Sequence, residues 1–342
     1  MSEGIASYRK LNGQRLLVSS VLAAVTVGLA IVDLGVGSSG LAPGEVLAAL
    51  VAGPSGGTPH SVILWAIRVP MTLTCMLVGG SLSLAGLQIQ AITSNMLASP
   101  YTLGITASAS FGAAIAITAG ISIAGYLWIG TALMALVFAL AVSLLVVYLS
   151  RFRGMSTTTL ILAGIIMNFF FQALQQYLQY RASPEVAQVI AGWTFGNLQR
   201  SSWTSVVVCG ALLAMGALIL SRWSWRLTAL ATGEERARSL GVNTARLRLQ
   251  VFLVCALLIA GAVGFIGTVA FVGLVAPHCA KLILGEDQRF LLPGALFLGA
   301  LMLLAASICS KLLSDGAMLP VGIITSLVGV PFLFALLLKK GR

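Results

Sequence analysis

The sequence predicts an all-α polytopic membrane protein of ten transmembrane helices, with both termini cytoplasmic. Three observations predict it. The 342 residues are 58% apolar and only 8% charged, with a mean hydropathy of +1.02, too little charge to cover a water-exposed surface. The apolar residues gather in runs close to the ~20 that a bilayer core of ~30 Å requires. The basic residues lie in short segments between those runs, where they act as topology signals. The net charge of +11 therefore forms no continuous patch for nucleic acid. No run shows the sustained alternation of a transmembrane barrel.

Span 1 is placed at about 16–36 and read as a retained helix, since it is long enough to cross and no A-x-A site follows it. A loop with Pro43, Pro54 and Pro59 comes next, and APGEVLAALVAG within it suits a short interfacial helix. Span 2 covers about 62–92 and ends at SNMLASPY; span 3 covers 102–120, span 4 126–149, span 5 157–180 and span 6 203–221. The run from Leu249 to Leu284 is long for one helix and short for two. The loops at 222–248 and 281–289 both carry basic residues, so an even number of crossings must separate them. Two short helices meeting near GAVGFIG (Gly261 to Gly267) meet that demand, the glycines allowing a close turn or close packing. Spans 9 and 10 follow at about 291–310 and 319–338. Sixteen of the twenty Lys and Arg then fall inside, and only Arg68, Arg181, Arg200 and Lys311 outside. Residues 1–342 thus form a single transmembrane domain, with 222–248 a cytoplasmic loop inside it.

The sequence also excludes several chemistries. It has no GxxxxGK[ST] phosphate loop, no HExxH and no GxSxG. The two histidines, His60 and His278, are far apart, and the five cysteines (75, 209, 255, 279 and 309) stand singly in apolar runs without metal or disulfide spacing. Asp33 lies near the outer end of span 1, and spans 2 to 10 have no carboxylate near their centres. An ion-coupled carrier, which buries ionisable groups at mid-membrane, is disfavoured. A membrane enzyme would need a cluster of titratable groups, and none stands out.

Two segments carry chemistry. In span 5, TTTLILAGIIMNFFFQALQQYLQY, the residues Asn168, Gln172, Gln175 and Gln179 are spaced +4, +3 and +4. This puts four amides on one helix face. Amides cannot face lipid unsatisfied, so the stripe either lines a watery path or bonds neighbouring helices. The second segment holds six Arg (222, 226, 236, 238, 246 and 248) and two Glu (234 and 235). Thr232 with Glu235 is a possible capping box, and Gly241 suits a helix end. A short helix over about 233–240 is expected, then a turn, then a helix from near Asn243. Such a compact knob of both charge signs suits docking of a soluble partner.

Several stretches resemble, in matching order, the permease subunits of ABC importers of the FecCD type, which take up ferric siderophores, haem and cobalamin. IRVPMTLTCMLVGGSLSLAGLQIQAITSNMLASPYTLGI is similar to the family's RxPR…LVGxxLxxxGxxxQxxxxNPLAxPxxLG. GFIGTVAFVGLVAPHCAKLILGEDQRFLLP is similar to GxIxFVGLxxPHxxRxxxGxDHRxLLP, and MLPVGIITSLVGVPFLFALLLKK to LPxGxxTxxxGxPxFxxLL.

The resemblance implies the type II importer permease fold, with ten transmembrane helices per subunit. It implies a second permease subunit, identical or homologous, two ATP-binding subunits, a periplasmic or lipid-anchored substrate-binding protein, and a bacterial inner membrane. It implies no cofactor on this chain; ATP and Mg belong to the partner ATPase. Gly233, Glu234, Glu235, Ala237, Arg238, Leu240 and Gly241 become the ATPase-docking residues. Arg68 and Lys311 match positions that hold carboxylates of the binding protein, although Met71 stands where the family often has a second Arg and Lys311 where Arg is common. Asn168, Gln172, Gln175 and Gln179 line the path, and Thr157 and Thr158 match the cytoplasmic gate, where a cap of span 5 by Ser156 or Thr157 is the plainer role. Asn95, with Met96 in place of the family's first Pro, and the Pro277–His278 pair are structural matches. The expected cargo is a metal chelate, ferric siderophore first, then haem or cobalamin.

Overall fold

In the computed structural model the described residues are 2–37, 42–123, 125–151, 157–314 and 318–339. Among them the chain is helical, with one isolated bridge pairing Ile123 and Tyr126 and no named strand. The helices are α1 (Ser2–Gly35), α2 (Pro43–Ala52), α3 (Pro59–Ile63), α4 (Val69–Thr93), α5 (Ile105–Thr118), α6 (Leu127–Arg151), α7 (Thr157–Arg181) and α8 (Pro184–Thr194). They continue as α9 (Trp203–Arg222), α10 (Ser224–Ala231), α11 (Glu234–Ser239), α12 (Thr244–Ile266), α13 (Val272–Leu284), α14 (Gln288–Leu312) and α15 (Val321–Lys339). Among the described residues, seven helical stretches are long and apolar enough to cross a membrane, and three shorter apolar helices accompany them, α5, α13 and the part of α15 over Val321–Leu336.

The elements form where the hydropathy placed them, with informative differences. The helix of span 1 begins at Ser2 rather than near residue 16, because no proline interrupts the segment before it. The loop segment APGEVLAALVAG does fold, as α2, with Pro43 in its first turn and the Glu45 carboxylate accepting from the Ala42 amide at 2.9 Å. Span 2 begins with α3 and a π-helical turn, Leu64–Arg68, that runs on into α4. The expected pair of helices near GAVGFIG is present as α12 and α13, with the junction at the end of the motif: α12 continues through it to Ile266, and the chain turns at Gly267–Phe271. Gly261 and Gly264 lie within α12, where they admit Leu212 and Ala132 to close packing. α8 and α10 were not foreseen. They have 11 and 8 residues, too few to register as spans.

α4 is the central element. It touches α14, α12, α13 and α9, and most of its residues are buried. The closest approach is glycine on glycine: a Cβ on Gly79 would collide with the Gly299 carbonyl of α14, and one on Gly299 with the Gly79 carbonyl. Small residues let two backbones meet in this way, the usual source of affinity between helices that lipid does not drive together. At the Asp33 end of the bundle, Trp65 and Trp203 stack with ring centroids 6.2 Å apart. Their indole N–H groups donate to the carbonyls of Ala49 and Trp65, at 3.1 and 3.0 Å.

Candidate functional site

The charged segment between α9 and α12 folds into a compact knob. Gly233, with φ at 123°, precedes α11, and Gly241, with φ at 81°, follows it. These left-handed values exclude most side chains. The Val242 amide donates to the Ala237 carbonyl at 3.0 Å and the Gly241 amide to Arg238 at 2.9 Å, closing the helix end. Asn243 caps α12 by accepting from the Arg246 amide at 3.0 Å. The expected capping box is corrected: the N-cap of α11 is Gly233, without a side-chain cap, and the Thr232 hydroxyl donates backward to the Ala229 carbonyl.

The seven candidate docking residues divide into two groups. Ala237 is fully buried and, with Val242, anchors the knob. The Glu234 carboxylate is engaged internally, by Arg238 Nη2 at 2.6 Å, Arg248 Nη2 at 2.9 Å and Thr244 Oγ1 at 3.3 Å. Burial pushes this carboxyl up, but the Arg248 and Arg238 guanidiniums outweigh it and hold it below the ordinary glutamate value. Gly233, Glu235, Arg238, Leu240 and Gly241 remain exposed, Leu240 by 56%. Leu240 is thus an apolar side chain held out among charged ones at the surface of the knob. Arg248 was counted from sequence only as one more loop charge, yet it is buried.

Arg68 and Lys311 are not free surface charges. The Lys311 ammonium lies 2.7 Å from Asp33 Oδ1 and donates to the Asp33 carbonyl at 2.8 Å. Arg68 is buried and donates to the Leu34 and Gly35 carbonyls at 2.7 and 3.2 Å, at the C-terminus of α1. Thr72 and Ser307 complete the shell around Asp33, donating at 2.5 and 2.7 Å. An acid near the end of span 1 was the available signal, because a buried carboxylate needs such partners.

The four amides of α7 share one face, and that face turns inward. Gln175 donates to the Thr194 hydroxyl at 3.0 Å and Gln179 to the Ala187 carbonyl at 3.3 Å, both on α8. Gln172 reaches the Tyr101 hydroxyl at 3.3 Å and Asn168 Oδ1 at 3.5 Å. These bonds border a cleft of about 300 Å³, walled also by Thr106, Ser110, Gln176 and Thr268. No charged side chain is among its lining residues. Asn168 does not line it. A second cleft of about 620 Å³ shares Tyr101, Thr194, Phe195 and Thr268 and extends along α15 to Pro331. The stripe thus bonds to α8 and Tyr101, and three of its four amides also border the cleft. The outward face of α7 is instead apolar and aromatic, with Leu162, Ile166, Phe169 and Tyr180 exposed. The Thr157–Thr158 pair opens α7, and Thr158 is exposed. Ser156 lies outside the described residues.

Known proteins resemble this arrangement along most of the chain. The hemin transport system permease protein HmuU of Yersinia pestis is 33% identical over 275 residues, covering 80% of this chain and 82% of that protein. The molybdate import system permease protein MolB of Haemophilus influenzae is 32% identical over 321 residues, covering 92% and 93%. A solved structure of a metal-chelate type ABC transporter in an inward-facing conformation matches with a TM-score of 0.82 and 30% identity, covering 94% of this chain and 99% of that one. The model of the FecCD transport family matches residues 22–339, and the chain, a multi-pass membrane permease, belongs to that family.

Proposed function

We propose that this chain is the membrane-spanning subunit of an ATP-driven importer that moves a metal chelate, ferric siderophore first, into the cytoplasm by alternating access. The observation that carries the reading is the knob: a capped, internally paired helix that holds Leu240, Glu235 and Arg238 out toward a partner. In this reading ten helices cross a bacterial inner membrane, seven of full length and three short, and both termini are cytoplasmic. Two ATPase subunits bring ATP and Mg and grip the knob. A second permease subunit, the same chain or a homologue, faces the cleft and completes the path. Thr157 and Thr158 stand at its cytoplasmic mouth.

The cleft supports a wrapped cargo. Amides and hydroxyls can hydrate a large polar surface without holding it, and a wall without carboxylate, thiol or imidazole offers a bare transition-metal ion no anionic, sulfur or nitrogen ligand. Haem is the second reading, favoured by the likeness to a hemin permease. Docking of a substrate-binding protein at Arg68 and Lys311 requires its carboxylates to compete with Asp33 and the end of α1 for these cations.

The test is affinity purification of the tagged chain in mild detergent. An ATPase carrying a phosphate-binding loop is expected with the wild type and lost with Leu240→Asp. Recovery of the wild type without any ATPase contradicts the reading.

A further inference from the structure

Arg248 joins three elements. It lies in the first turns of α12, and its Nη2 donates to Glu234 Oε2 of α11 at 2.9 Å. Its Nε donates to the Ile92 carbonyl at 3.0 Å, in the last turn of α4. The last carbonyls of a helix lack intrahelical partners and carry partial negative charge, so a guanidinium suits them. Ser94 takes the left-handed conformation, φ 47°, and stops α4 just beyond. A planar fork with several donors is what bridges a carboxylate and a carbonyl on separate elements.

We propose that the Glu234–Arg248–Ile92 joint passes movement of the knob into α4, making Arg248 a positioning residue for transport. This rests on the importer reading above. α4 is suited to the task. From Ile92 to Thr72 it spans about 30 Å at about 1.5 Å per residue, and at Thr72 it binds Asp33. Between those ends, the Gly79–Gly299 contact leaves no slack, and close-packed interiors transmit displacement. α4 also touches α7, which carries the cleft wall. A push on Glu234 is thus delivered to the cleft and to the opposite end of the bundle. Without the joint, the knob still docks, but no direct polar link ties its movement to the end of α4.

The experiment uses the complex of this chain with its co-purifying ATPase in proteoliposomes. A cysteine is placed in the cleft by Gln176→Cys in a Cys309→Ser background, and its maleimide labelling rate is compared with and without ATP plus vanadate. We expect the rate to change by about fivefold or more, the scale of a typical coupling between sites. With Arg248→Gln, the ATPase still co-purifies and hydrolyses ATP, but the labelling rate no longer responds. Arg248→Lys keeps the charge beside Glu234 with a compact head, so it assembles, and its response is reduced. A wild-type response in either variant overturns the joint while leaving the importer reading intact. Response and hydrolysis falling together with lost assembly, in both variants, makes Arg248 only a structural residue and also overturns it. Absence of an ATPase from the unmodified complex overturns the importer reading and the joint with it.

Discussion

Lys311 and Asp33 form an ion pair of 2.7 Å, with 5% of one side chain and 0% of the other exposed. It joins α14 to α1. The pair is closed off further by Thr72 and Ser307, so the Asp33 carboxylate is satisfied by donors from two other helices. Removing one charge strands the other in a poorly solvated place. Lys311→Met is therefore expected to cost about 3–5 kcal/mol. The double change Asp33→Asn with Lys311→Met should recover most of that loss. Thermal denaturation of the purified protein in detergent decides it; equal losses in the single and double variants would refute the pairing energetics.

The knob should loosen in acid. The Glu234 carboxyl is held below its ordinary value, about 4.3 in model peptides, by Arg248 and Arg238. A depressed folded value stabilises fully above the ordinary one. That contribution fades as pH falls through the ordinary value and vanishes below the folded one. The side chain is about a third exposed, so solvent limits the size of the effect. Hydrogen-exchange protection across 233–242, corrected for the intrinsic pH dependence of exchange, should fall on acidification in the wild type. In Glu234→Gln that protection should already be low at neutral pH and change little. Identical pH profiles for the two proteins would contradict this.

The α4–α14 contact should not tolerate a side chain. Gly79→Val places atoms against the Gly299 carbonyl, which is backbone and cannot swing aside. Overpacking of this kind costs about 1–3 kcal/mol. A lowered midpoint of thermal unfolding is expected, with Gly210→Ala, where only one side-chain atom lies in ordinary contact, nearly neutral. Equal behaviour of the two variants would count against a backbone-to-backbone seam.

Two glutamines one residue apart on α7 should separate stability from transport. Gln175 is buried and bonded to Thr194, so Gln175→Leu is expected to cost about 1 kcal/mol, the scale of an interhelical hydrogen bond in membranes. Gln176 is exposed and lines the cleft. Gln176→Trp should leave stability unchanged and reduce uptake sharply. Chelate uptake by cells, set beside melting of the purified variants, tests both; full uptake with Gln176→Trp would remove the cleft from the path.

The long helices were legible because apolar runs state their own length. α8 and α10 were not, since 11 and 8 residues of mixed polarity carry no span signal. The register of Asn168, Gln172, Gln175 and Gln179 located one helix face correctly, but periodicity does not say what a face meets, and here it meets α8. Arg68 and Lys311 show the same limit. A cation near a helix end can point to water or inward, and the end of α1, distant in the chain, decided it: Asp33 for Lys311 and the Leu34 and Gly35 carbonyls for Arg68. Arg248 and Glu234 are fourteen residues apart, in different helices, so no helical spacing links them.

The most direct test of the central claim is uptake by proteoliposomes that hold this chain and its co-purifying ATPase. A radiolabelled ferric hydroxamate siderophore is supplied outside with the candidate binding protein, and ATP is enclosed. The account predicts accumulation that requires enclosed ATP, survives collapse of proton and sodium gradients, and is lost with Leu240→Asp. Accumulation that proceeds without ATP and follows an imposed ion gradient would contradict it.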